Sequence, residues 1–221
     1  MGETGITCRI FCDRMYKCSE YKEPDDYVKM SRLLFERVLR VYSQDTSRSL
    51  LDVFAKEFTN RSFTGIRSVY TEHTISYKKF CIECVTSLNL FFNKYNPSVI
   101  MDKYSYKHKI KGYMGCVFNN YNVHFTYKNV SETDKDLDFA SLNSYIYNQV
   151  HGLSNACLVM SVPTNTFFLL DYDEKDYTMG RGFLVQTKKT KLKRRGTHCF
   201  RCKNSCKPLY LNGIDRLEAH L

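Results

Sequence analysis

Three cysteines near the end of the chain have a spacing suited to metal binding. Cys199, Cys202 and Cys206 are separated by two and then three residues. Thiolates at that spacing can converge on one metal ion or one iron–sulfur cluster with little backbone strain. A four-ligand site needs one more donor, and the candidates are His198, Cys12 and Cys18. The alternative is a set of free thiols in a basic tail.

Four other cysteines lie in apolar patterns. Cys81 and Cys84 fall inside a helical pattern, whereas Cys116 and Cys157 fall in apolar strands. A free cysteine packs like a small apolar side chain, and it is among the most buried residue types. We therefore predict that these four cysteines belong to the core.

A basic run precedes the three late cysteines. The sequence KKTKLKRR spans Lys188–Arg195. Basic side chains that neutralise phosphates release counterions from a nucleic acid, which favours binding. The predicted phosphate contacts are Lys188, Lys189, Lys191, Lys193, Arg194, Arg195 and Arg201. The alternatives are a solvated tail and a nuclear-localisation-like signal.

The composition favours a polyanionic partner. With 221 residues, 43% of them hydrophobic, the chain can bury a real core. The net charge is +10, and aromatic residues make up 14% of the chain. A basic surface rich in Tyr and Phe suits DNA or RNA, because phosphates attract cations and bases stack on rings. The alternative is a basic protein held among the protein subunits of a complex.

The sequence also predicts an intracellular location, in cytoplasm or nucleoid. No segment approaches the roughly 18 apolar residues of a membrane span, so we expect no membrane partner. The first residues, MGETGITCRIF, lack the basic flank and apolar run of a signal peptide. In a reducing compartment the ten cysteines are not expected to form a disulfide framework, and metal binding is the expected role for some of them.

Periodicity predicts the elements that position these residues. Apolar residues at helical spacing predict helices at Tyr27–Tyr42, Ser49–Phe58, Thr74–Tyr95, Phe139–Asn155 and Ile214–Leu221. Strands are predicted in Cys157–Asp171 and Gly182–Thr187, around a charged turn at Asp171–Asp176. Helices combined with a mixed central sheet indicate an α/β domain.

The segment Ile110–Lys128 has the pattern of a β-hairpin. An apolar run ends at Phe118, a turn follows at Asn119-Asn120, and alternation begins at Tyr121. His124, in the second strand, is predicted to face solvent. The segment resembles the catalytic hairpin of RecB-like PD-(D/E)XK nucleases, in which a Gly-x-x-Asp strand is followed by an Asp/Glu-x-Lys strand.

The resemblance implies a nuclease fold that has lost its metal chemistry. The chain keeps Gly112 and Lys128, but the two acidic positions hold Gly115 and Thr126. Mg²⁺ and Mn²⁺ need carboxylate oxygens, which glycine and threonine lack. The helical histidine of the family matches Phe35. The remnants of the site are then Lys128 and Gln149, the latter matching a glutamine that contacts the site in the family.

The resemblance extends to the cysteines. The segment Cys12-Asp13-Arg14-Met15-Tyr16 resembles the Cys-Pro-Arg-x-Tyr opening of the iron–sulfur members, which include CRISPR-associated exonucleases and AddB-type helicase–nuclease subunits. In those proteins one early and three late cysteines hold a [4Fe–4S] cluster that staples the chain ends around the nuclease core. The implied ligands are Cys12, Cys199, Cys202 and Cys206, with zinc as the alternative metal. We expect one nuclease-like domain, 1–221, in which 1–26 and 188–221 form the staple.

These observations together predict a DNA-binding or structural subunit of a DNA-processing or transcription assembly. The resemblance to the family also allows a viral or mobile-element origin for the chain. Two other functions stay open. One is an active metal-dependent DNA exonuclease with a rearranged site, for which Glu36 and Asp102 are the candidate acids. The other is a zinc-binding transcription or interaction protein without a nuclease fold.

Overall fold

The structure, a computed structural model, describes residues 6–7, 26–45, 47–59, 74–106, 110–130, 135–170 and 209–219. The helices in these ranges are α1 (Asp26–Gln44), α2 (Leu50–Thr59), α3 (Thr74–Tyr95), α4 (Lys135–His151) and α5 (Ile214–Glu218). The strands are β1 (Ile6–Thr7), β2 (Ser98–Tyr106), β3 (Ile110–Phe118), β4 (Tyr121–Thr126), β5 (Ala156–Ser161), β6 (Thr166–Leu170) and β7 (Leu209–Asn212). The predicted α/β class is confirmed.

The strands form one mixed sheet. Its order is β1-β3-β4-β5-β6-β7, and β2 pairs with β3 as well. The pairs β2–β3, β3–β4, β5–β6 and β6–β7 are antiparallel, whereas β1–β3 and β4–β5 are parallel. Because parallel neighbours need a crossover connection, α4 lies between β4 and β5 in the chain. The predicted hairpin is confirmed as β3 and β4, with Asn119 at φ 48° in its turn.

Helices cover both faces of the sheet. On one face, Leu34 of α1, Val53 of α2 and Leu88 of α3 share a buried cluster with the sheet. We call this the α1 face. On the other face, Leu142 and Leu137 of α4 belong to two smaller clusters. No helix in the described ranges is long and apolar enough to cross a membrane.

The first three helices lie where the periodicity predicts them. The apolar stripe of α1 is buried. Ser49 precedes α2 and caps it, because its Oγ accepts from the Asp52 N–H at 3.1 Å. Helix α3 ends at Tyr95, before Asn96 (φ 44°) and Pro97. A left-handed residue followed by proline stops a helix, because proline lacks the N–H needed to continue it.

The fourth helix is displaced from the predicted range Phe139–Asn155. It begins at Lys135 and ends at His151, before Gly152 at φ 65°. Its sheet-facing side is polar at one end, where the Asn122 side chain of β4 donates to Ser144 Oγ at 2.7 Å and to Asn148 Oδ1 at 2.8 Å. Buried amides obscured the apolar periodicity on which the prediction relied.

The segment Cys157–Asp171 is two strands rather than one. A 3-10 turn, Val162–Thr164, separates β5 from β6, and Asn165 follows it at φ 49°. Proline at position 163 and a left-handed asparagine make this a tight turn. The strand predicted at Gly182–Thr187 and the turn at Asp171–Asp176 lie outside the described residues. Strands β1, β2 and β7 were not predicted.

Candidate functional site at the β3–β4 hairpin

The two strands of the hairpin separate soon after the turn. Their register pairs Phe118 with Tyr121 and, farther along, Cys116 with Val123. Nearer the start of β3, the main-chain oxygen of Tyr113 accepts instead from Asn143 Nδ2 of α4, at 3.0 Å. Helix α4 therefore supplies a hydrogen bond at a position where β4 no longer pairs with β3.

The two positions matched to catalytic acids lie on opposite faces of the sheet. A Cβ on Gly115 would lie 3.6 Å from the Tyr113 ring and 4.0 Å from Met101 Sδ. Met101 packs against the cluster of the α1 face. Thr126 is four residues from Asn122, which contacts α4, and strand alternation puts both on the α4 face. A single cation could not be held by side chains at both positions.

The α1 face of β4 is filled by aromatic rings. Phe35, at the position matched to the family histidine, stacks between Phe54 and Tyr127, with ring centroids 5.6 and 5.0 Å away. The exposed fractions are 0% for Phe35, 8% for Phe54 and 4% for Tyr127. Burial raises the pKa of the Tyr127 hydroxyl well above its ordinary value. The hydroxyl is therefore a neutral phenol, and the stack offers no anionic ligand.

Glu36 is the candidate acid at the edge of this stack. Its carboxylate is half-buried and lies 3.9 Å from the Arg32 guanidinium. Burial raises its pKa, while the charges of Arg32 and Arg40 oppose that shift. The described residues contain no group of three or more His, Cys, Asp or Glu side chains placed to hold a metal ion. Asp102, the other candidate acid, accepts from His151 Nε2 at 3.1 Å.

The proposed remnants Lys128 and Gln149 lie at different ends of α4. The Lys128 ammonium lies 3.1 Å from the Asp136 carboxylate, in the first turn of the helix. Gln149 is exposed near the end of α4. At a rise of 1.5 Å per residue, about 20 Å separates Asp136 from Gln149 along the helix axis. The structure therefore does not bring the two remnants together.

The cysteines divide into two groups. Cys81, Cys84, Cys116 and Cys157 are each 0% exposed, which confirms their prediction as core residues. Burial raises the pKa of the Cys81 thiol to about 11 and that of Cys84 further. The Cys81 and Cys84 thiols are therefore protonated, and all four side chains pack in the core. The proposed cluster ligands Cys12, Cys199, Cys202 and Cys206, and the basic residues Lys188, Lys189, Lys191, Lys193, Arg194, Arg195 and Arg201, lie outside the described residues.

The prediction that His124 faces solvent is wrong. Its parity with Asn122 directs it toward α4, and its Nε2 is buried without a hydrogen-bond partner among the described residues. Burial lowers the pKa of His124 to about 4. The prediction failed because alternation identifies two faces of a strand but does not show that a helix covers the second one.

We expect His124 to make the protein less stable in acid. In the unfolded chain the group titrates near pH 6.5, whereas burial lowers the folded pKa to about 4. Between those two pH values the unfolded state binds more protons than the folded state. The free energy of unfolding is therefore unaffected by His124 above pH 6.5, and the full loss is reached below pH 4. The full loss in the free energy of unfolding is up to about 3 kcal/mol.

Urea unfolding of the wild type and His124→Gln, at neutral pH and near pH 4, measures this loss. The pH dependence should be weaker in the variant. If both proteins lose the same free energy of unfolding between neutral pH and pH 4, titratable groups other than His124 cause the loss.

Comparison with known proteins does not assign the chain to a family. No protein-family model matches it, and neither a curated protein nor a solved structure is significantly similar to it. The RecB-like resemblance therefore stays a hypothesis that rests on motifs within this sequence. The structure contributes its element order, in which a hairpin is followed by α4 and then by a strand parallel to β4.

Three residues near the hairpin were not singled out from the sequence. Asp136 pairs with Lys128, and Asn143 bonds the separated part of β3. Tyr113 lies on the α1 face, where burial raises its pKa to about 12 and Glu36 and Arg40 act on it in opposite directions. In the neighbouring strand β2, apolar and polar residues alternate only from Lys103 to Tyr106, which is too short a signal to predict the strand.

Proposed function

We propose that the chain is a catalytically degenerate RecB-like nuclease domain. It acts as a DNA-binding or structural subunit of a DNA-processing or transcription assembly. The observation that carries the proposal is the aromatic stack of Phe54, Phe35 and Tyr127 on the α1 face. In the resemblance, the Phe35 position belongs to a histidine of the metal site. Packed rings occupy that position here.

The chemistry of the stack argues against hydrolysis at this position. Metal-assisted phosphodiester cleavage requires Mg²⁺ or Mn²⁺ bound by carboxylate oxygens, so that the phosphate is polarised and water is ionised. Phe35 has no ligand atom, and Gly115 has no side chain. Thr126 lies on the opposite face by strand alternation. Lys128 could attract a phosphate, but it is already paired with Asp136 at 3.1 Å.

A binding role agrees with the charge of the chain. The net charge of +10 favours a polyanion, and phosphate contacts give affinity without any metal. Lys188–Arg195 and Arg201 are the proposed contacts from the C-terminal part of the chain. The setting that we propose is intracellular.

The metal proposal concerns the chain ends rather than the hairpin. Cys12, Cys199, Cys202 and Cys206 would hold a [4Fe–4S] cluster, or zinc in its place, and would tie the two ends of the chain together. Metal analysis of the purified protein distinguishes iron with sulfide from stoichiometric zinc. Protein that contains neither, when purified without oxygen, would remove the proposal.

Salt-dependent DNA binding without cleavage is the expected behaviour. Replacing Lys191, Lys193, Arg194 and Arg195 by alanine should weaken binding and lower the slope of log Kobs against log salt by about 4, one for each phosphate contact. Fluorescence anisotropy of a labelled duplex measures the slope. Incubating duplex and single-stranded DNA with Mg²⁺ or Mn²⁺ tests for cleavage.

The matched control removes the same charge from exposed helical positions, in the variant with Lys29, Lys56, Lys78 and Lys79 replaced by alanine. An equal loss in both variants would show that only total charge matters. Cleavage by the wild type that Glu36→Ala abolishes would establish the active exonuclease instead.

A further inference from the structure

Three exposed cations lie on one side of the β2–β3 pair. Lys103 is on β2, Lys111 is on β3 and Arg40 is on α1, and each is exposed. We call this set the hairpin-edge patch. Its members come from separate elements, so a simple run of basic residues does not reveal it in the sequence.

Strand alternation places both lysines on the α1 face. The β2 side chains of Ile100, Tyr104 and Tyr106 pack against the cluster that contains α4 residues. The odd-numbered positions therefore face the other way, as Met101 does when it packs against the cluster of the α1 face. Lys103 is two residues from Met101 on the same strand, so its side chain lies on the same face. It pairs directly with Tyr113, whose hydroxyl contacts the Met101 sulfur.

The two lysines are diagonal neighbours across the strand pair. Lys103 is opposite Tyr113, and Lys111 precedes Tyr113 by two residues on β3. Diagonal neighbours on one face of an antiparallel pair are about 7–8 Å apart. Arg40 and Glu36, one turn apart on α1, both reach this place, since the charges of both act on the Tyr113 hydroxyl. Tyr113 is therefore the strand residue near which the two lysines, Arg40 and Glu36 come together.

Within the fold, the Glu36 carboxylate, one turn before Arg40 on α1, offsets part of the Arg40 charge. Like charges on neighbouring strands repel each other. Nearby cations are neutralised, since Arg32 pairs with Glu36 and Arg37 with Glu57. In the described part of the chain, no carboxylate lies within ion-pairing distance of Arg40, Lys103 or Lys111. An external polyanion would neutralise Lys103 and Lys111, together with the part of the Arg40 charge that Glu36 does not offset.

We infer that the hairpin-edge patch binds the phosphate backbone of duplex DNA. This inference rests on the proposed DNA-binding function and gives it a surface within the described fold. Cations spaced along a strand pair can contact successive phosphates of a regular backbone, and such contacts position a protein without reading sequence. The surface is separate in sequence from Lys188–Arg195 and would add to it.

The test replaces Arg40, Lys103 and Lys111 together by glutamine, which keeps side-chain length and removes three charges. The slope of log Kobs against log salt for a labelled duplex should fall by about 3. Binding to duplexes of different sequence should weaken by the same factor, because phosphate contacts carry no sequence information. Thermal unfolding is expected to be unchanged or slightly raised, since the three side chains are exposed and their mutual repulsion is removed.

The control replaces Lys56, Lys79 and Arg216 by glutamine, an equal charge loss at exposed positions on α2, α3 and α5. If the patch variant binds DNA as the wild type does, with the same slope of log Kobs against log salt, the inference is overturned. The proposed function would not be affected by that result. An equal fall in the patch variant and the control would also overturn it. A wild type without salt-dependent DNA binding would instead refute the proposed function.

Discussion

Replacing Gly112 by alanine is expected to destabilise the protein by about 4 kcal/mol, which combines overpacking with a lost hydrogen bond. A Cβ at this position would lie 2.0 Å from Tyr104 Cζ and 2.1 Å from its hydroxyl oxygen. Tyr104 is 5% exposed, and its hydroxyl donates to the main-chain oxygen of Asn143 at 2.9 Å. The ring therefore cannot move aside without breaking the contact between β2 and α4. Urea unfolding measures the loss.

Gly115→Ala is the matched control on the same strand. Its Cβ would meet the Tyr113 ring at 3.6 Å, which is an ordinary van der Waals contact. The expected change is within about 0.5 kcal/mol. Tyr104→Ala removes the obstacle itself, so Gly112→Ala should cost under about 1 kcal/mol in that background. An undiminished cost there would show that the clash with Tyr104 is not the cause.

Gly112 matches a sequence motif of the family, but the structure requires it for a different reason, which is steric. In the sequence it marks a Gly-x-x-Asp strand, whereas in the structure the Tyr104 ring lies against its backbone. The strand itself was predictable, because an apolar run ends at a two-residue turn. Strand β2 was not predictable from the sequence, because Met101 adopts φ 47° at a register shift between Val99 and Asp102. A bulge interrupts the alternation on which a strand prediction depends.

The candidate site was less predictable than the fold. Matching by sequence puts Gly115 and Thr126 into one site, but a face assignment needs continuous alternation along both strands. Met114 packs in the cluster with α4 residues, and Cys116 packs in the cluster of the α1 face, so β3 is irregular at Gly115. One such irregularity moves every following side chain to the other face. Spacing alone could not show which positions share a face.

Phe35→His is expected to cost about 3 kcal/mol, because the family-like residue would enter an aromatic stack. Phe35 is 0% exposed and is stacked at an interplanar angle of 8° on both Phe54 and Tyr127. An imidazole there loses ring contact and buries polar nitrogens away from water. Phe35→Leu keeps the position apolar and should cost under about 1.5 kcal/mol. Denaturant unfolding of both variants at neutral pH separates lost packing from buried polarity.

Adding Mn²⁺ to Phe35→His decides whether a metal site survives beneath the stack. Ligand binding to the native state alone stabilises it by RT ln(1 + [L]/Kd), about 2.7 kcal/mol at one hundred times Kd. We expect no such gain beyond that of the wild type, because Tyr127 is a neutral phenol and Gly115 offers no oxygen ligand from a side chain. Glu36 alone binds a hard cation weakly. Stabilisation that depends on both Mn²⁺ and the new histidine, and that Glu36→Ala removes, would mean that a metal can bind at the stack although positions 115 and 126 lack carboxylates.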